Sequence, residues 1–144
     1  NNFKGLKDLL FNLQVNGYIP VIAHPERYGF IKENPEEVIN LRQAGALFQV
    51  NIGSILGNYG TEARKTVMLL LKHQIPSFIA TDTHHDTHEF YKKIIEVKNI
   101  LKKYIPEDYI EELFNVNTKN ILENKIFEPR ETIPFKKGLF GKIK

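Results

Sequence analysis

Apolar and polar positions along this chain follow two rhythms. Phe3, Leu6, Leu9, Leu10 and Leu13 recur at helical spacing, and Asn16-Gly17 is a natural stop. Short apolar runs follow at Ile19 to Ala23, Leu47 to Asn51 and Ser77 to Ala80, and each reads as a buried strand. Helical stretches separate them. Asn34-Pro35-Glu36-Glu37 is a helix start, with Asn as cap, Pro at the first helical position and Glu37 closing a box-like arrangement; Gly45 is the stop. Thr61 to His73 predicts another helix, buried through Val67 to Leu71. Ile52 to Gly60 holds three glycines and reads as a loop.

Beyond Asp86 the pattern is helical only. Phe90, Ile94, Val97, Leu101 and Tyr104 step by four and three. Pro106-Glu107-Asp108 opens a helix carrying Ile110, Leu113 and Phe114, and Asn117 to Glu123 predicts a short one. Two parts are expected: a folded unit over 1–125 and a basic, irregular tail over 126–144. The order α-β-α-β-α-β predicts an α/β fold of parallel strands with flanking helices. A closed barrel needs about eight strands, so three strands imply part of a larger α/β unit.

Composition narrows the chemistry. The 144 residues are 42% hydrophobic and 26% charged, ordinary for a globular domain. There is no run of 18 apolar residues and no signal-peptide layout at Asn1-Asn2-Phe3-Lys4-Gly5, so a cytoplasmic enzyme is the expectation. The net charge is +3, but Lys136, Lys137, Lys142 and Lys144 supply four charges, which leaves −1 for the remainder. A broad nucleic-acid surface is not indicated. Cysteine is absent, so any metal must sit on His, Asp or Glu.

Four of the five histidines (His24, His84, His85 and His88) lie just after two of the apolar runs. Strand C-terminal ends are where α/β proteins build their sites. Asp82-x-His84 offers a carboxylate and an imidazole that share one side of a strand end, a donor set for Mn²⁺, Fe²⁺ or Zn²⁺; the alternative is a helix-capping Asp with a surface histidine. His24 closes the first run, either as a ligand or as a structural residue. Arg27 suits a phosphate or carboxylate, against the alternative of a surface salt bridge to Glu33. Asn51 and Gly53, in Gln49-Val50-Asn51-Ile52-Gly53-Ser54, read either as a polar wall of the site or as a turn. His85 and His88 are further ligand candidates, and His73 suits a helix C-terminus.

Ala23-His24-Pro25-Glu26-Arg27-Tyr28, then Gln49 to Ser54 with Tyr59-Gly60, then Ala80-Thr81-Asp82-Thr83-His84, resemble the bacterial metal-dependent tyrosine-protein phosphatases of capsule and exopolysaccharide biosynthesis. These belong to the polymerase-and-histidinol-phosphatase (PHP) superfamily. Asn117-Thr118-Lys119-Asn120-Ile121-Leu122 is similar to the family's closing Asn-Pro-x-x-Ile-Leu helix, with Thr and Lys substituted. The resemblance runs over residues 1–125. It implies the C-terminal part of a distorted PHP-type (β/α)₇ barrel, a cluster of divalent metals, commonly Mn²⁺ with Fe or Mg as alternatives, and metal-assisted hydrolysis of phosphotyrosine on proteins. It further implies His24, Asp82 and His84 as metal ligands and Arg27 as the catalytic phosphate-holding residue, and on the polar-wall reading Asn51 and Gly53 are the candidate substrate contacts beside it. The implied partner is a phosphotyrosine protein such as a bacterial tyrosine kinase.

Two departures from the family pattern bear on function. The family's opening His-x-His strand is not in this sequence, so the resemblance implies a fragment that is inactive alone and has an open sheet edge available for pairing, including with a second copy. Relatives also carry an arginine shortly after Asp-x-His, where this chain has Asp86-Thr87-His88-Glu89; His88 is the candidate replacement. The competing readings are a histidinol-phosphatase-like or other PHP phosphoesterase, and a non-catalytic truncated binding module.

Overall fold

A computed structural model describes residues 3–83, 90–125 and 128–135. Three strands, β1 (Val21–Ala23), β2 (Leu47–Asn51) and β3 (Phe78–Ala80), form one parallel sheet in the order β1-β2-β3. The register pairs Ala23 with Gln49 and Asn51 with Ala80, so all three strands end along one edge. Parallel strands need crossovers, and helices supply them. Between β1 and β2 run α2 (Gly29–Glu33) and α3 (Glu37–Gln43); between β2 and β3 run α4 (Ile52–Leu56) and α5 (Thr61–Lys72). Helix α1 (Phe3–Val15) precedes the sheet, and α6 (Phe90–Leu101), α7 (Glu107–Glu111) and α8 (Asn117–Leu122) follow it. The α/β fold of parallel strands expected from the apolar runs is the one observed.

Several local expectations are corrected. Ile52 to Leu56 is a single helical turn rather than loop, ended by Gly57 at φ 91°. Only glycine takes that conformation without strain. The helix expected from Asn34 begins at Glu37; the Asn34 amide donates to the Glu37 carboxylate at 3.2 Å instead of capping. Pro25–Arg27 forms an unforeseen 3-10 turn, and Glu112–Val116 is a π-helical stretch joining α7 to α8.

Two apolar clusters meet at β2. One gathers Leu10, Ile22, Ile31, Val38, Leu41, Phe48 and Leu70; the other gathers Val50, Ile55, Val67, Leu71, Ile79, Leu101, Tyr109 and Leu113. Each such side chain contributes roughly 1.5–3 kcal/mol over leaving it exposed. The C-terminal helices are also latched to β3 by polar bonds. The Tyr109 hydroxyl donates to the Pro76 carbonyl at 2.7 Å, and the Asn117 amide donates to the Ser77 carbonyl at 2.9 Å. Residues 128–135 hold neither helix nor strand. They are tied down by Ile133 N–H to the His73 carbonyl (3.0 Å) and by Arg130 to Gln74, Glu112 and Asp108.

Candidate functional site at the strand C-terminal edge

β1 does not simply fray into a loop. Its last ladder bond is His24 N–H to the Gln49 carbonyl at 2.7 Å, and His24 itself turns into the left-handed region at φ 41°, ψ 53°. Asp82, two residues past β3, does the same at φ 52°. For residues other than glycine, such conformations cost roughly 1–3 kcal/mol each and persist where the surroundings enforce them. Gln74 and Asn124 also take positive φ, but His24 and Asp82 are the two that the sequence singled out.

After His24 the chain tightens into the 3-10 turn, whose first position suits Pro25 because no N–H is needed there. The turn points Glu26 inward and Arg27 outward. Glu26 is fully buried, with a relative exposure of 0%. One of its oxygens, Oε1, accepts from the Ser54 hydroxyl at 2.6 Å and from Asn51 N–H at 3.2 Å. This carboxyl therefore ties the end of β1 to the end of β2. Burial raises its pKa above the usual 4.5, partly offset by the bonds from Ser54 and Asn51 and by the nearby His24.

Asp82 is the second junction. Its Oδ2 accepts from the Asn51 side-chain amide at 2.8 Å and lies 3.5 Å from Arg27 Nη1. Residues from the ends of all three strands thus meet through two carboxylates. Arg27 pairs with Asp82, not with Glu33, and its guanidinium carbon sits 4.4 Å from the Tyr59 ring centroid. An open cleft of about 450 Å³ runs past these groups, lined by Arg27, Gly53, Leu56, Tyr59, Asp82 and Lys93 among others.

The predicted site residues fall as follows. Arg27, Asn51, Gly53 and Asp82 are gathered at the strand ends, with Asn51 buried and bonded to Asp82. His24 is at the end of β1, beside Glu26. His84, His85 and His88 lie outside the described residues. Among the described residues, no three His, Asp or Glu side chains form a metal-holding group. Donor types suited to a divalent cation are nevertheless present. His24 Nδ1, Glu26 Oε2 and Asn51 Oδ1 are buried with no hydrogen-bond partner among the described residues, and imidazole and carboxylate are the donors such ions take.

The sequence reading included Glu26, Ser54 and Tyr59 in the motifs of the resemblance but gave none of them a role of its own. The signal for Glu26 was its place between His24 and Arg27. No local pattern marks a glutamate as buried.

Residues 1–123 match the family described as capsular polysaccharide synthesis, CpsB/CapC. Among individual proteins, the chain is 32% identical over 137 residues to tyrosine-protein phosphatase YwqE of Bacillus subtilis (strain 168), covering 94% of this chain and 53% of that one. It is 36% identical over 118 residues to CapC of Staphylococcus aureus, covering 81% and 45%. A solved structure from work on YwqE of Bacillus subtilis and CpsB of Streptococcus pneumoniae, described there as metal-dependent tyrosine phosphatases, superposes with a TM-score of 0.71 at 29% identity. That match covers 89% of this chain and 52% of the other. The chain spans about half the length of the curated relatives it matches.

Proposed function

The chain belongs to the capsular polysaccharide synthesis CpsB/CapC family, and from that membership we propose that it forms part of a metal-dependent phosphatase acting on phosphotyrosine in proteins. The observation that carries the reading is the meeting of Arg27, Asn51 and Asp82 at the ends of three parallel strands, beside an open cleft. A guanidinium there can pair with two phosphoryl oxygens at once and stabilise the charge that develops as the P–O bond breaks. Asn51 orients the Asp82 carboxylate. Glu26 holds the turn carrying His24 and Arg27 against the loop that follows β2.

His24, Asp82 and His84 are the proposed metal ligands, with Mn²⁺ the proposed ion and Fe or Mg the alternatives. When bound, a divalent ion supplies Lewis acidity for activating water and neutralises phosphoryl charge. The chain has no cysteine, so no thiol of its own can take the phosphoryl group. A bacterial tyrosine kinase is the proposed phosphoprotein partner and the cytoplasm the proposed location. Among the described residues no helix is long and apolar enough to cross a membrane.

Hydrolysis assays test this. The gene's full-length polypeptide with Mn²⁺ is expected to hydrolyse a phosphotyrosine peptide faster than histidinol phosphate, and the 144-residue chain alone is expected to show little turnover. Preference for histidinol phosphate would move the protein to another phosphoesterase class. Full turnover by the 144 residues would mean that the expected missing ligands are not needed.

A further inference from the structure

Arg27 is held by more than its ion pair. Its guanidinium lies over the Tyr59 ring at 4.4 Å, whereas its contact with Asp82 is 3.5 Å, at the long end for a charged bond. The arginine side chain is 37% exposed, so an unsupported guanidinium there would sample many rotamers. Tyr59 in turn sits against Gly53, where an added methyl group would come within 2.8 Å of Tyr59 Cε2. Gly53 is helical and not in a positive-φ conformation, so backbone freedom does not explain a glycine there. Room for the ring does.

We propose that Tyr59 is a positioning residue for Arg27. Its ring face holds the guanidinium flat against the cleft wall, with one edge toward Asp82 and the incoming phosphoryl group, and Gly53 is the clearance that lets the ring sit there. The proposal rests on the reading of Arg27 as the phosphoryl ligand. A guanidinium already held in place loses less freedom on binding than a loose one. The ring face does this work, so the Tyr59 hydroxyl is dispensable.

NMR of the 144-residue chain, following the Arg27 side-chain Nε–H resonance during titration with inorganic phosphate, tests both parts. In the parent chain the resonance is expected upfield, shifted by the Tyr59 ring current, and it should respond saturably to phosphate. Tyr59→Phe keeps the shift and the phosphate affinity. Tyr59→Leu loses the shift and weakens phosphate binding about two- to fivefold, the range for an exposed cation–π contact. Gly53→Ala should do the same with no loss of thermal stability, because alanine is the better helix former; this separates displacement of the ring from unfolding. Arg27→Lys is the reference for the phosphate ligand. If Arg27→Lys weakens phosphate binding while Tyr59→Leu leaves both readouts at parent values, the positioning role is overturned and the functional reading stands. If the parent shows no phosphate response, or Arg27→Lys matches it, both fall.

Discussion

Glu26 allows its charge and its hydrogen bonding to be separated. Both bonds it accepts, from Ser54 and from Asn51 N–H, end on Oε1, and Oε2 is buried without a partner among the described residues. Glu26→Gln can keep a carbonyl oxygen at the Oε1 position and so keep both bonds. Glu26→Ala removes the acceptor, leaves two donors facing an emptied space, and should cost about 2–4 kcal/mol, since each unsatisfied buried donor costs about 1–3 and the Ser54 hydroxyl can rotate to recover part. With a urea dependence of about 2 kcal/mol per molar, the unfolding midpoint falls by about 1–2 M. The pH dependence has a definite sign. Burial raises the Glu26 pKa above 4.5, so the native state holds this proton more tightly than the unfolded chain does. Its contribution is full below pH 4.5 and is lost as pH rises through the raised value. Glu26→Gln mimics the protonated form. It should therefore match the parent at pH 4, lack this group's decline above that, and equal or exceed the parent at pH 8. Urea titrations of parent, Gln and Ala variants at pH 4, 6 and 8 measure this. If Glu26→Gln at pH 8 falls as far as Glu26→Ala, the fold depends on the negative charge, and the reasoning from Oε1 alone is refuted.

Other expectations follow from the same geometry. Arg27→Ala in the full-length polypeptide should lower turnover by the equivalent of about 2–4 kcal/mol with metal content unchanged, and unchanged kinetics would return Arg27 to a mere partner of Asp82. Anomalous scattering from a Mn²⁺-soaked crystal should place the ion signal at the strand C-terminal edge on His24 and Asp82; a signal elsewhere, or His24 turned away from it, removes His24 from the ligand set. Tyr109→Phe, which orphans the buried Pro76 carbonyl, should lower unfolding stability by about 1–2 kcal/mol with little change in metal affinity. A metal affinity lost in proportion would make that hydroxyl part of the site's own support.

The three strands and the long helices were legible because buried parallel strands are written as unbroken apolar runs and helices as recurring ones. The place of the candidate site was legible for the same reason: once the runs are placed, the polar residues after them are placed too. What escaped depended on three-dimensional context. Ile52–Leu56 is too short to show a period and contains a glycine, so it read as loop. The left-handed turns at His24 and Asp82 carry no glycine to announce them. Glu26 looked like one more charged residue, and its burial follows from Ser54 and the Asn51 backbone, far away in sequence. A role for Tyr59 became visible only with Arg27 over its ring and Gly53 beneath it.

The two latches on β3 have a consequence for the order in which a ribosome delivers this molecule. Domains assemble as their segments emerge, the N-terminal ones first. The pairing of β1 with β2 and the Glu26 tie have all their partners once Ser54 has left the tunnel. β3 is different. It pairs with β2 on one side, and the carbonyls of Pro76 and Ser77 at its entrance are satisfied by Tyr109 and Asn117, which are made much later. A nascent chain stalled before Tyr109 carries β3 without either latch, held by the β2 ladder and by Ile79 packed against Val50, Val67 and Leu71. The half of the site centred on Glu26 therefore has its partners before the half centred on Asp82 does. The half centred on Asp82 gains its last supports when the helices around Tyr109 and Asn117 arrive, so a pause or truncation before them yields a chain in which Asp82 can already meet Asn51 and Arg27 while the entrance of its strand is unlatched.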